Sequence, residues 1–123
     1  MAEKSGENLS MSRVASGDLS SAQFRFVQGG GQRDVYLANS GATFAYVLQN
    51  KPADNGHARV VAGGFTKVVV AASLGPQTEI AVGSGGYAIL ALQLGAVSSG
   101  TIQGHLVTGA TSGAVAEAFL SRR

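Results

Sequence analysis

The run Phe65-Thr66-Lys67-Val68-Val69-Val70 decides how this chain folds. Its β-branched residues pack well on a pleated, half-buried surface and are stiff in a helix. Alternation sends Val68 toward a core and Lys67 to the opposite face. Just ahead, Ala58 to Ala62 reads as a second strand, separated from the first by Gly63-Gly64. Downstream, Gly75-Pro76 marks a turn, Thr78 to Val82 a strand, Gly83-Ser84-Gly85-Gly86 a loop, Tyr87 to Leu92 a strand, and residues 101 to 108 a weaker one. Upstream, Gln23-Phe24-Arg25-Phe26-Val27 alternates, which points Phe24 and Phe26 inward and Arg25 outward, before Gly29-Gly30-Gly31 breaks the run. Asp34 to Ala38 and Phe44 to Leu48, joined by Asn39-Ser40-Gly41, read as a hairpin, and Asp54-Asn55-Gly56 as another turn.

Short apolar runs separated by turn residues every eight to twelve positions are the signature of a sandwich or barrel. The expected fold is all-β: a small single-domain β-barrel or sandwich over residues 21–123, with an extended N-terminal arm over residues 1–20. The arm is expected because Leu9, Met11 and Val14 follow neither a period of two nor a sustained 3.6, and lie within Ser, Gly, Glu and Asn. The closing segment, Ser112 to Arg123, reads two ways. Val115 and Phe119 with Ala116 and Leu120 would line a helix face, yet the same letters alternate, and the strand is favoured.

Composition narrows the function. Of 123 residues, 13% are charged and 18 are glycine, about half the average charge and about twice the average glycine of a soluble domain. Charge is also uneven: residues 60 to 121 hold three formal charges, Lys67, Glu79 and Glu117, while residues 1 to 59 hold eleven. A charge-poor half of this kind can stay soluble through its Ser, Thr, Gln and Gly or be covered by neighbouring subunits, since interface cores are depleted in charge. A net charge of +2 with three lysines and no basic run argues against a nucleic-acid partner. No cysteine is present, which removes disulfides and thiol chemistry. The first twenty residues have no apolar signal core, and no segment approaches the length of a membrane span; no membrane partner is expected, and assembly in the cytoplasm is.

Enzyme signatures are weak. Neither a phosphate-binding loop ending in Gly-Lys-Ser/Thr nor a strand-GxGxxG-helix unit occurs, so the glycines read as turn formers. His57 and His105, with Asp34, Asp54 and Glu79, lack any metal-ligand spacing, and no GxSxG elbow supports a serine triad. No catalytic residue, metal or cofactor is expected. Carbohydrate binding would leave aromatic platforms; with no Trp, the candidates are Tyr36, Tyr46 and Tyr87, each readable as a strand residue that packs its ring.

Residues 21 to 123 resemble phage capsid cement, or head decoration, proteins. Ser21-Ala22-Gln23-Phe24-Arg25-Phe26-Val27 is like that group's first strand. Ala45-Tyr46-Val47-Leu48-Gln49-Asn50-Lys51-Pro52 resembles its "GVLQN-x-P" element, with Ala45-Tyr46 where a Gly is usual. Ala58-Arg59-Val60-Val61-Ala62-Gly63-Gly64-Phe65-Thr66-Lys67-Val68-Val69 is similar to its "A-x-V-x-x-x-G-x-x-K-V-V" strand pair and is the most specific match. Beyond it the likeness loosens. Gly85-Gly86-Tyr87-Ala88 resembles the "DGRAV" hairpin without its Asp, Ile102 to Leu106 sits where a "VLGIALE"-like strand is usual, and Gly113 to Leu120 is similar to the closing "GEIVEVLL" strand.

The resemblance implies a compact barrel on the outer surface of a phage head, bound after expansion, which reinforces contacts between major capsid protein subunits. It also implies a homotrimer. The residues expected to contact the capsid or a neighbouring subunit are Leu9, Met11, Arg13 and Val14 in the arm, with Arg25 and Arg33. A structural protein of the phage tail or neck, and a β-sandwich carbohydrate-binding module, are the alternatives.

Overall fold

Among the described residues nine strands form, and the longest of them belongs to two sheets at once. The structure, a computed structural model, describes residues 9–29, 33–43, 45–91 and 102–121. In chain order the strands are β1 (Leu9–Ala15), β2 (Phe26–Gly29), β3 (Asp34–Leu37), β4 (Tyr46–Leu48), β5 (His57–Val69), β6 (Glu79–Val82), β7 (Ala88–Leu90), β8 (Gly104–Leu106) and β9 (Val115–Leu120). A 3-10 turn, Ser84–Gly86, precedes β7. The all-β expectation holds, and the closing segment is a strand.

The first five strands run in the order β1-β3-β2-β4-β5, and β5 pairs back to β1, which closes a five-stranded barrel. Its interior takes alternate residues of every strand: Val27, Val35, Leu48, Ala58, Val60 and Ala15 are buried there, with Met11, Leu37 and Tyr46 packed alongside. The remaining order is β5-β9-β8-β6-β7. This second sheet lies over the outer face of β2, β4 and β5, where Phe26, Val47 and Val61 share one core with Val68, Ile80, Val82, Leu106, Ala116 and Ala118. Phe26, Val47 and Val61 are register neighbours across three strands, so one row of the barrel's outside is the floor of the second core.

How β5 serves both cores is a matter of parity. In the barrel Val61 points to the shared core, whereas beyond the glycines Thr66 and Val68 do so. Even and odd positions have exchanged faces. The pairing with β1 shows where: Ser10 pairs Val61 and Leu9 pairs Gly63, skipping Ala62. Such an extra residue flips every later side chain and bends the strand. Gly64, at φ +88°, supplies the backbone that bend needs. Gly63-Gly64, expected to separate two strands, instead bends one.

Three further expectations are corrected. The arm over residues 1–20 is not an arm in its described part: residues 9–15 are β1, antiparallel to β5 and parallel to β3 at Val14 and Ala15, and Leu19 and Ala22 are buried in the barrel core. Its pattern looked aperiodic because Ala15 and Leu19 enter the core from a strand and from the turn after it. Residues 1–8 lie outside the described residues. Asp34–Leu37 and Tyr46–Leu48 are not a hairpin, because β2 lies between them and pairs with both. The turn itself exists, with Gly41 at φ +79°, but it carries the chain across β2. Finally, Phe24 does not alternate with Phe26: it adopts φ +65°, its N–H donates to Leu48 O at 2.7 Å, and its carbonyl accepts from Val69 N at 2.9 Å. Two strands compete for its backbone, and that sets its conformation.

Candidate interaction surfaces

Because the second sheet covers the barrel over β2, β4 and β5, the barrel's open outer side is the face of β3, β1 and the start of β5. On it Val14 (42% exposed) and Tyr36 (37%) are the large apolar side chains. Val14 pairs with Asp34 on one side and His57 on the other, and Ser12 pairs with Arg59. Arg33 is exposed at the foot of β3, where its carbonyl accepts a 2.9 Å bond from Val14 N. The face is thus two apolar side chains set among Asp34, His57 and Arg59, with Arg33 exposed at one end.

The six residues expected to make contacts separate into groups. Val14 lies on this face, and Arg33, exposed at the foot of β3, is joined to it through the Val14 N–H to Arg33 carbonyl bond. Met11 and Arg13 occupy the other side of β1, half-buried, where Met11 packs on the barrel core. The Arg13 guanidinium turns back on its own strand, donating to Ser12 O at 2.9 Å and lying 3.3 Å from Met11 Sδ. Leu9 starts β1, its backbone paired with Gly63. Arg25 is engaged within the fold: its Nε and Nη2 both donate to Gly85 O, and its guanidinium lies 4.3 Å from the centre of the Tyr87 ring. It ties the approach to β2 to the loop before β7, which is a clamp between the halves and not a surface contact.

A second surface escaped the sequence reading. The outer face of the second sheet carries Phe65 on β5, Phe119 on β9 and His105 on β8 in one cross-strand row. The Phe65 and Phe119 rings are 4.9 Å apart and tilted by 60°, and His105 lies 5.8 Å from Phe119. A shallow depression flanks each phenylalanine, one lined by Gly104, His105, Phe119 and Ser121, the other by Phe65, Thr66, Lys67 and Glu117. The signal for this row was available only as parity: Phe65 shares its side of the strand with Lys67, the residue assigned outward.

The groups weighed for metal or acid–base chemistry are dispersed. His57 and Asp34 lie on the barrel, His105 and Glu79 are register partners on the second sheet, and Asp54 Oδ1 accepts from Gly17 N at 2.8 Å. Among the described residues no three His, Asp or Glu side chains gather at one point. The exposed Asp18 carboxylate titrates below its ordinary value, chiefly because the Ser20 side chain and backbone hydrogen-bond it. That shapes the turn that delivers Leu19 to the core. Tyr87 is under Arg25, and Tyr46 packs on the barrel core.

No protein-family model matches the chain. No curated protein matches it either. Among solved structures it is similar to the N base of the head fiber protein gp8.5 in bacteriophage phi29, with a TM-score of 0.70 and 15% identity over 94% of this chain and 95% of that one. At that identity the likeness is one of fold, and it spans nearly the whole of both chains.

Proposed function

We propose that this chain is a structural protein of a phage virion that binds the outer surface of the head and reinforces contacts between major capsid protein subunits. The observation that carries this reading is the end-to-end likeness of fold to the base of a phage head fiber. The resemblance in sequence to cement proteins points the same way from different evidence. The open face of β1 and β3 suits attachment to a shell: Val14 and Tyr36 supply apolar contact, while Arg33, His57 and Arg59 around them can meet polar groups of capsid subunits. A protein that binds a lattice gains strength from many weak sites and needs no deep pocket.

The test uses heads stripped of the protein and reconstituted with it. Added protein is expected to bind and to raise DNA retention on heating. Binding should weaken from low to high salt, because Arg33, His57 and Arg59 around the two apolar side chains are exposed and screening acts mainly on exposed charge. Failure to bind or protect overturns the reading. Attachment as the base of a head appendage is a second reading, favoured by the same fold likeness. In that case, the protein occupies few sites per head and does not change DNA retention.

A further inference from the structure

Three cross-strand pairs stand in register on the outer side of the second sheet: Phe65 opposite Phe119, Lys67 opposite Glu117, and Val69 opposite Val115. Each pair is matched in kind, aromatic with aromatic, cation with anion, valine with valine. Within these three pairs the line midway between β5 and β9 is therefore an axis of chemical symmetry, broken by the change of sign at its centre; outside them, His105 flanks Phe119 and the Lys67 ammonium lies 5.9 Å from the centre of the Phe24 ring. Phe65 and Val115 are nearly half exposed, at 47% and 46%, and residues 60 to 121 contain just one formal charge, Glu79, besides this pair.

A half-turn about that line turns the face over and lays β5 of one copy across β9 of another. Aromatic residues then meet aromatic residues, valines meet valines, and Lys67 meets Glu117 at two equivalent places. Like charges at the centre would oppose such a contact. Opposite charges satisfy the condition that a two-fold interface sets, in which residue i meets j and j meets i. Stacked sheets cross at about 30°, so the central pair stays in closest register while the ends diverge. An aromatic-rich, charge-poor centre is also what interface cores favour.

We propose that a second copy of this chain docks on the outer face of β5 and β9, about a two-fold axis that runs between them. The inference rests on the register of the sheet and is independent of shell binding. A homotrimer would require two different complementary faces on each subunit, whereas this face is complementary to itself.

Sedimentation velocity of the full chain, from micromolar to submillimolar concentration, tests it. The native protein is expected to form a reversible dimer, and Phe65→Ser to weaken that dimer by about tenfold or more with the strand signature by circular dichroism retained. Lys67→Glu and Glu117→Lys, each alone, should stay monomeric, because each places like charges together at both equivalent contacts. Mixed in equal amounts, the two variants should associate again, since the copy that carries only acids at these positions then faces the copy that carries only bases. A pairing of Lys67 with Glu117 inside one chain cannot produce that rescue. A native protein that is monomeric or trimeric throughout, single variants that dimerise as the native protein does, or mixed variants that remain apart would each overturn the proposal.

Discussion

The barrel and the second sheet share a strand and a core, yet they solve the problem of a sheet's edges differently. In the barrel, β1 pairs with both β3 and β5, so each strand has two neighbours. In the second sheet, the last strand, β7, returns to the rest through one parallel bridge, Val70 with Ala88, and a 3.0 Å bond from Ala71 N to Ala88 O. The barrel side also carries most of the charge, while the second sheet carries little and exposes aromatic residues. A closed, charged half keeps a protein soluble and unattached at its edges. A half with few charges and a flat aromatic face is suited to being covered. The two proposals divide these surfaces between different partners, the barrel face for the shell and the sheet face for a second copy.

The comparison can be broken most severely at β1. Deleting residues 1–15 opens the barrel, removes Ala15 and Met11 from its core and leaves β5 and β3 without a partner along one side. The expected outcome is loss of the cooperative thermal melt, since total stability is only about 5–15 kcal/mol. A truncated protein that melts as the full chain does would show that barrel closure contributes nothing.

Val68→Asp comes next. Val68 is fully buried in the core that joins the halves, and an unpaired carboxylate there costs several kcal/mol. The variant should be insoluble or unfolded by circular dichroism, while Lys67→Ala, one residue away and exposed, should change stability by less than about 0.5 kcal/mol.

Glycine positions sharpen the contrast between seam and surface. At Gly104, φ +154°, an added Cβ would collide with the carbonyl oxygen of Phe119 and lie 2.9 Å from Leu120 Cα. Gly104→Ala is therefore expected to cost about 3 kcal/mol through overpacking and backbone shift. Gly17, φ +95°, has open space around it, so Gly17→Ala should cost only about 1–2 kcal/mol from the left-handed backbone. Urea midpoints of the two variants measure both. The clamp is expected to have an effect of similar size to Gly17→Ala: Arg25→Ala removes the bonds to Gly85 and the contact with Tyr87, and should lower stability by about 1–2 kcal/mol with the strand signature intact.

Much of the fold was legible because strands and turns are local. The Phe65 to Val70 run, the Gly75-Pro76 turn and the strand before Gly83 follow from alternation and turn chemistry, whereas the closing strand, whose letters also fit a helix face, was favoured partly through the resemblance to cement proteins. Partners were less legible. Nothing local in Asp34 to Leu48 shows that β2 inserts between β3 and β4, because that choice is made by Phe26, Val47 and Val61 aligning over a distant sheet. The bend at Gly63-Gly64 was visible as two glycines, but whether they end a strand or turn it depends on what pairs alongside. Of the expected contact residues, Val14 lies on the open face and Arg33 is exposed at the foot of β3, whereas Arg25 is engaged by a carbonyl sixty positions away. Phe65 and Phe119 were hidden because aromatic residues in a strand are usually core, and only parity across a bulge distinguishes the exception.

Hydroxyl-radical footprinting of the protein free and bound to heads, at a concentration where it is a monomer when free, tests the division of surfaces most directly. Tyr36, on the barrel's open face, is expected to lose reactivity when heads are added. Phe65 is expected to follow only where two copies meet, and to be protected in the absence of heads once the concentration is high enough for dimers. Equal labelling of Tyr36 on heads and in solution would contradict the assignment of the barrel face to the shell.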